Sequence, residues 1–251
     1  MIVAGITVAF FTLPLIGIVQ RAEWAELWGD LTTAQSLTAL RLSLVCSLSA
    51  AALSVLFGTP LAWMLARARL RGRSLIRGLV LLPMVLPPVV GGVALLAAFS
   101  RRSPVGGWLY DVFGIQLTFS TAGAVMAETF VALPFYVIAV EGGLRGVDQR
   151  FEEAAAGLGA GRFMVFRRVT FPLIAPSVAA GAVLVWARAL GEFGATITFA
   201  GNVSGRTQTL PLAVYLQLDT DQGTAIALSL VLLVVSLVVL VALRDRWLTR
   251  G

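Results

Sequence analysis

The 251-residue chain contains no lysine and no histidine, and Cys46 is its only cysteine. Each absence removes a class of chemistry. Without lysine there is no glycine-lysine phosphate loop, so a nucleotide-driven motor must be a separate polypeptide. Without histidine the commonest general base and metal ligand is gone, which argues against a hydrolase and against a bound metal. A single cysteine allows neither an intrachain disulfide nor a thiolate metal site. Cys46 lies inside an apolar run and reads as a small lipid- or core-facing residue. Charge is scarce as well, at 13% of residues.

Hydrocarbon fills the rest. Hydrophobic residues make up 58% of the chain and mean hydropathy is +0.90, against roughly 45–50% apolar in soluble domains. These values predict an all-α integral membrane protein, a single membrane domain over residues 1–251. At about 20 apolar residues per span, six helices are expected: Ile2–Val19, Ser36–Ala66, Leu75–Phe99, Thr121–Val140, Leu173–Phe193 and Gly223–Leu243. The first lacks the basic leader and small-residue exit of a signal peptide and is read as a retained span. The second exceeds what a bilayer needs, so it tilts or projects into water.

The net charge of +6 comes from arginine alone. The arginines fall between apolar runs instead of along one amphipathic face, which points to membrane topology and away from nucleic acid. Arg67, Arg69, Arg71, Arg73 and Arg77 follow the second span, Arg145, Arg150, Arg162, Arg167 and Arg168 the fourth, and Arg244, Arg246 and Arg250 the last. The other side carries Arg21, Arg101, Arg102 and Arg206. Thirteen against four puts both termini in the cytoplasm of a multi-pass cell-membrane protein. Trp24, Trp28, Trp108 and Tyr110 then form an outer interfacial belt, and Ser103–Phe119 a partly helical external lid.

Polar groups at membrane depth are costly and call for partners or water. Arg188 and Glu192 stand four apart on one helix and can pair, either to lock that helix to a neighbour or as a gate; Glu128 is the third such charge. Thr196, Thr198 and Asn202 are candidate pathway-lining residues. With Ser204, Thr207, Gln208 and Thr209 they offer hydroxyls and amides to an anion, although a solvated loop would read similarly. Pro83, Pro87, Pro88, Gly91 and Gly92 interrupt the third span, through kinking for packing or because it borders a pathway.

One long polar insertion remains, between the fourth and fifth spans. It begins with an alanine-rich stretch led by Glu152 and Glu153, which suits a helix N-terminus, and continues through Arg162, Arg167 and Arg168 to Pro172. A basic helical segment on the arginine-rich side reads as a docking element. Glu153-Ala154-Ala155, then Gly159 after three residues, then Val169, Phe171 and Pro172 resemble the EAA loop of ABC importer permeases, with valine for isoleucine and phenylalanine for leucine. Ala187–Asn202, ARALGEFGATITFAGN, and Thr207–Tyr215 resemble the molybdate branch of the oxyanion permeases, whose sulfate and thiosulfate members share the Gly-Glu-aromatic-Gly core.

The resemblance implies a non-catalytic transport subunit whose coupling loop, residues 141–172, folds as a short helix in a groove on an ATPase. It further implies a homodimer, two copies of a cytoplasmic ABC ATPase, and an extracytoplasmic oxyanion-binding protein. No cofactor is expected on this chain; ATP and Mg²⁺ belong to the ATPase. Sulfate, thiosulfate or tungstate are the alternative substrates. The rival classes are an ion-coupled secondary transporter relaying through Arg188, Glu192 and Glu128, and a membrane scaffold or receptor.

Overall fold

A computed structural model describes residues 1–68 and 71–248, with side chains to Ala242. Arg69 and Arg250, counted above, lie outside the described residues, as do the side chains of Arg244 and Arg246. Among the described residues the chain forms α1 (Ile2–Arg21), α2 (Leu27–Thr32), α3 (Ala34–Arg67), α4 (Arg73–Val85), α5 (Pro88–Phe99), α6 (Pro104–Phe113) and α7 (Thr121–Gly146). Then follow α8 (Arg150–Gly157), α9 (Arg162–Val165), a π-turn (Phe166–Thr170), α10 (Phe171–Leu190), α11 (Gly194–Phe199), α12 (Leu210–Thr220) and α13 (Gln222–Leu248). Hydroxyls start three of these helices. Thr33, Ser103 and Ser120 accept from the backbone N–H three residues on, satisfying donors that a helix end leaves free. Asp221 does the same for α13, and hydrogen bonds from the Thr224 hydroxyl and amide hold its carboxyl below the usual range.

The core is a three-helix packing of α3, α7 and α10. Tyr136 of α7 is fully buried between Gly58 of α3 and Gly181 of α10. A Cβ on Gly58 would lie 2.6 Å from the ring, and one on Gly181 3.1 Å. Only hydrogen at both positions leaves room for an aromatic ring between helix backbones. The phenol oxygen lies 2.7 Å from Thr59 Oγ1, so its polar end is satisfied at depth. Small residues continue along the same face of α3, where Ser36, Ala39, Ser43, Cys46, Ala50, Ser54 and Ala62 are all buried. Two of its serines tie in other elements. Ser47 accepts from the Trp186 indole of α10 at 3.1 Å, and Ser43 from the Leu210 N–H that opens α12 at 2.6 Å. Close approach through small residues and interhelical hydrogen bonds is how helices associate where lipid removes the hydrophobic drive.

Around this core, among the described residues, five helices are long and apolar enough to cross a membrane, and six if the α4–α5 pair counts as one crossing. That pair corrects the expected single helix Leu75–Phe99. The chain bends by 119° between α4 and α5, because Pro87 and Pro88 lack the N–H groups that would continue the ladder. Gly92 and Gly194 are filled by the resulting contact: added Cβ atoms would lie 2.6 Å from Thr198 Cβ and 2.8 Å from Pro88 Cβ. The interrupted segment therefore packs α5 on α11. α1 runs to Arg21 with no buried residue and packs against α13.

Two further boundaries move. The fourth span extends six residues past Val140 to Gly146, since Glu141 is held by arginines and need not end the helix. The fifth begins at Arg162 instead of Leu173. Pro172 cannot donate to Arg168, and the π-turn takes up the defect, with Phe171 N–H bonding to Phe166 O. The expected loop 141–172 thus shrinks to a connection around α8, and Val169, Phe171 and Pro172 lie within the helical run.

The Tyr136 slot yields two graded substitutions. Gly58→Ala should destabilise the chain by about 1–3 kcal/mol through overpacking, and Tyr136→Phe by about 1 kcal/mol through loss of the Thr59 contact. Thermal unfolding in detergent should rank them in that order.

Candidate functional site

The polar insertion becomes a compact hairpin of α8 and α9. Alanine at positions 154–156 favours the helix, and Glu152 and Glu153 in its first turn oppose the dipole favourably. Gly159 ends it. Its φ of +86° is the left-handed conformation that side chains resist, and Gly159 N–H bonds to Ala156 O at 3.0 Å while Ala160 N–H bonds to Ala155 O at 3.1 Å. These two bonds are a Schellman termination, which explains why glycine stands at that distance from the alanines.

A buried latch fixes the hairpin to the core. Arg67, the last residue of α3, has a side chain only 9% exposed and donates to Glu152 Oε1 at 3.2 Å and to Val147 O at 3.2 Å. Thr170 Oγ1, in the π-turn, donates to the same Glu152 oxygen at 3.0 Å. One carboxylate therefore joins the end of α3, the start of α8 and the base of α10. Glu153 faces the other way and is exposed, as are Ala154, Gly159, Phe171 and Pro172; Ala155 and Val169 are half-buried. The outward side also bears Phe151, Leu158, Phe163 and Met164, with Leu158 90% and Phe163 75% exposed. A cluster of exposed large apolar side chains on a polar hairpin marks an interaction surface. Beside it a cavity of about 620 Å³ opens between the ends of α7 and α10, bordered by Gly142, Gly143, Gly146, Asp148, Phe151 and Ser177.

Sequence reasoning missed two residues here. Glu152 was read only as a dipole partner, because nothing in a linear chain couples it to Arg67 or Thr170 across 85 and 18 residues. Glu141 lies just past Val140, the expected end of the fourth span, where it falls into the expected loop. It is 6% exposed, and Arg73, Arg77 and Arg145 all converge on its Oε1. The one local signal was Arg145, four residues on and within reach on the same helix face.

The membrane-depth residues form a second group. Arg188 Nη1 lies 2.7 Å from Glu192 Oε2, and Glu192 Oε1 accepts from Ala195 N–H at 2.9 Å, so this carboxylate both pairs and caps the turn into α11. Glu128 of α7 is 1% exposed, and its Oε2 has no protein partner. Thr196 is fully buried with an unpartnered hydroxyl, Thr198 donates to Gly194 O at 2.8 Å, and Asn202 donates to Leu212 O at 3.5 Å. Thr207, Gln208 and Thr209 are buried, whereas Ser204 lies exposed in the turn just before them. Thr207 accepts from Val203 N–H and donates to Gly201 O, which uses its hydroxyl internally. Such polar groups order the backbone after α11. Among the described residues no group of acidic, histidine or cysteine side chains could hold a metal.

Among the described residues, five or six candidate spans around a small-residue core, with a helical hairpin on one end, make a multi-pass membrane protein with an exposed docking element. The fold matches that of a chain in the crystal structure of a bacterial ABC transporter involved in the import of alginate, at a TM-score of 0.75 and 20% identity, covering 100% of this chain and 95% of the other. The chain belongs to the family described as the binding-protein-dependent transport system inner membrane component, whose model matches residues 58–251. It is 49% identical over 244 residues to the molybdenum transport system permease protein ModB of Mycobacterium tuberculosis, covering 97% of this chain and 91% of that one. Identity to ModB of Escherichia coli K12 is 44% over 212 residues, covering 83% and 93%. The sulfate permease CysT of the same bacterium is 36% identical over 232 residues, covering 91% and 83%. The chain is thus a multi-pass permease subunit and not an enzyme.

Two glycines at the C-terminal end of α8, Gly157 within it and Gly159 just beyond it, should respond in opposite directions to alanine. Gly159→Ala, forced into the left-handed region, should loosen the hairpin at a cost of about 1–2 kcal/mol. Gly157→Ala, with open space around it, should firm α8 by about 0.5–1 kcal/mol. Hydrogen exchange of the α8 amides measures both.

Proposed function

We propose that this chain is the translocating subunit of an ATP-driven importer for molybdate. The observation that carries the substrate is its likeness to molybdenum permeases over nearly its whole length, which exceeds its likeness to a sulfate permease of comparable coverage. The fold supports the transport class, and the exposed side of the hairpin supports docking of a separate motor. Sulfate, thiosulfate and tungstate remain the substrates against which molybdate is tested. An ion-coupled carrier leaves the hairpin without a role, and Arg188 and Glu192 satisfy one another instead of forming a relay.

In this reading two copies of the chain assemble as a homodimer with two ATPase subunits on the arginine-rich, cytoplasmic side and an oxyanion-binding protein on the other. Both termini face the cytoplasm. The apolar side chains of α8 and α9, with Glu153 beside them, enter a surface of the ATPase. ATP-driven closure of the two motors moves the hairpins. Because Arg67, Glu152 and Thr170 bind each hairpin to α3 and α10, the displacement reaches the spanning helices as rotation instead of dissipating in a loop. The path then opens outward, receives the oxyanion, and returns when ATP is hydrolysed. Differential contacts in the two states, supplied by ATP, provide the free energy for the shift. Substrate choice resides mainly in the binding protein in this reading; of the polar groups after α11, Thr207 is committed to backbone, while Asn202 Oδ1 and Thr209 Oγ1 are buried without a partner.

The test is molybdate uptake into vesicles holding the permease, ATPase and binding protein. Uptake should require all three and ATP, and excess sulfate should compete weakly; uptake without the ATPase would favour the ion-coupled carrier. Glu153→Lys and Gly159→Asp should abolish uptake by weakening ATPase copurification while the protein still inserts. Arg67→Gln should differ: the ATPase stays bound and hydrolyses ATP, but molybdate delivered per ATP falls about tenfold or more, as expected when a buried charged hydrogen-bond network is cut. Unchanged uptake in all three variants would remove the hairpin from coupling.

A further inference from the structure

The arginine cluster around Glu141 is not needed for docking or for the Arg67 latch, and its charges do not balance. Arg77 and Arg145 contact Glu141 Oε1, the latter at 2.9 Å, and Arg73 stands 3.7 Å from the same atom. Three guanidinium groups meet one carboxylate, leaving two positive charges. Guanidinium groups crowded on one oxygen repel each other, and a second anion removes that repulsion. Two donors are also idle: Nε of Arg73 and Nε of Arg77 are buried without a protein partner. The three side chains are nonetheless 33%, 31% and 49% exposed, so an anion can reach them from outside.

The helix that carries two of them has the build of an interfacial element. α4 has 13 residues, about 20 Å at 1.5 Å per residue, too short to cross about 30 Å of hydrocarbon. Ile76 and Val80 pack towards the core while Leu75, Leu79 and Leu82 are exposed. Arg73 and Arg77, one turn apart, thus sit between an apolar surface open to acyl chains and a buried carboxylate. We propose that Arg73, Arg77 and Arg145 form a binding site for a tetrahedral oxyanion group, with Glu141 holding the guanidinium groups in place. Planar guanidinium groups match phosphate-like oxygens in pairs. The group is the phosphate of an anionic lipid or a free oxyanion, and the flanking leucines favour the lipid.

The purified permease, in nanodiscs of zwitterionic phosphatidylcholine with or without phosphatidylglycerol, distinguishes the sources. If the occupant is lipid, phosphatidylglycerol raises the unfolding temperature and is retained through delipidation, as read by native mass spectrometry. If it is a free oxyanion, molybdate or phosphate raises the unfolding temperature in phosphatidylcholine alone. In either case Arg73→Gln should weaken the effect about tenfold, the scale of one charged hydrogen bond. That substitution leaves Arg77 and Arg145 to neutralise Glu141, so the fold is kept. Arg71→Gln removes the same charge from the exposed turn before α4 and should leave the effect unchanged. No response to lipid or oxyanion, or equal losses in Arg73→Gln and Arg71→Gln, would overturn the site.

Discussion

Everything in this permease hangs on how closely three helices can approach. Gly58 and Gly181 let α3 and α10 close on the Tyr136 ring, and the phenol finds Thr59 at the one place where its oxygen would otherwise be stranded. Lipid competes with every apolar contact, so helix association here depends on backbone proximity and satisfied polar groups. Two buried serines of α3 serve the same end, Ser47 accepting from Trp186 of α10 and Ser43 from the Leu210 N–H of α12.

That packing also determines what the hairpin can transmit. α3, α7 and α10 end near one another, and the Glu152 carboxylate sits where Arg67 and Thr170 both reach it. The π-turn between α9 and α10 absorbs the missing N–H of Pro172 and carries Thr170, the residue that closes the latch. The two glutamates of α8 thus divide their work. Glu152 turns inward to bind the hairpin to its own chain, and Glu153 turns outward with Leu158 and Phe163. Within the proposed mechanism, this division separates transmission from docking.

The order of the spans was legible from apolar run length, and their number up to the broken α4–α5 pair; the hairpin was legible from the spacing of Glu153, Gly159 and Pro172. The Schellman geometry gives the glycine spacing a local cause. Local patterns did not reveal where helices continue through polar residues. Glu141 and Thr170 look like loop until their partners, 64 and 18 residues away, are in place. Pro87 and Pro88 signalled a break, but neither its 119° angle nor the close seating of α5 on α11 at Gly92 and Gly194 could be read from them. Burial of Thr207, Gln208 and Thr209 was hidden for the same reason, since a hydroxyl turned to backbone and one turned to water have the same sequence.

The central claim is that the hairpin and the α3–α7–α10 core move as one body. It is tested most directly by spin-label distances in the assembled transporter, with Cys46 replaced and cysteines introduced at Leu158 and Leu56, both exposed. Addition of ATP should leave the Leu158–Leu56 distance within one chain unchanged, while the Leu158 distance between the two copies shortens. An intrachain distance that changes with ATP would contradict the account, because the hairpin would then be moving independently of the helices it is held to drive.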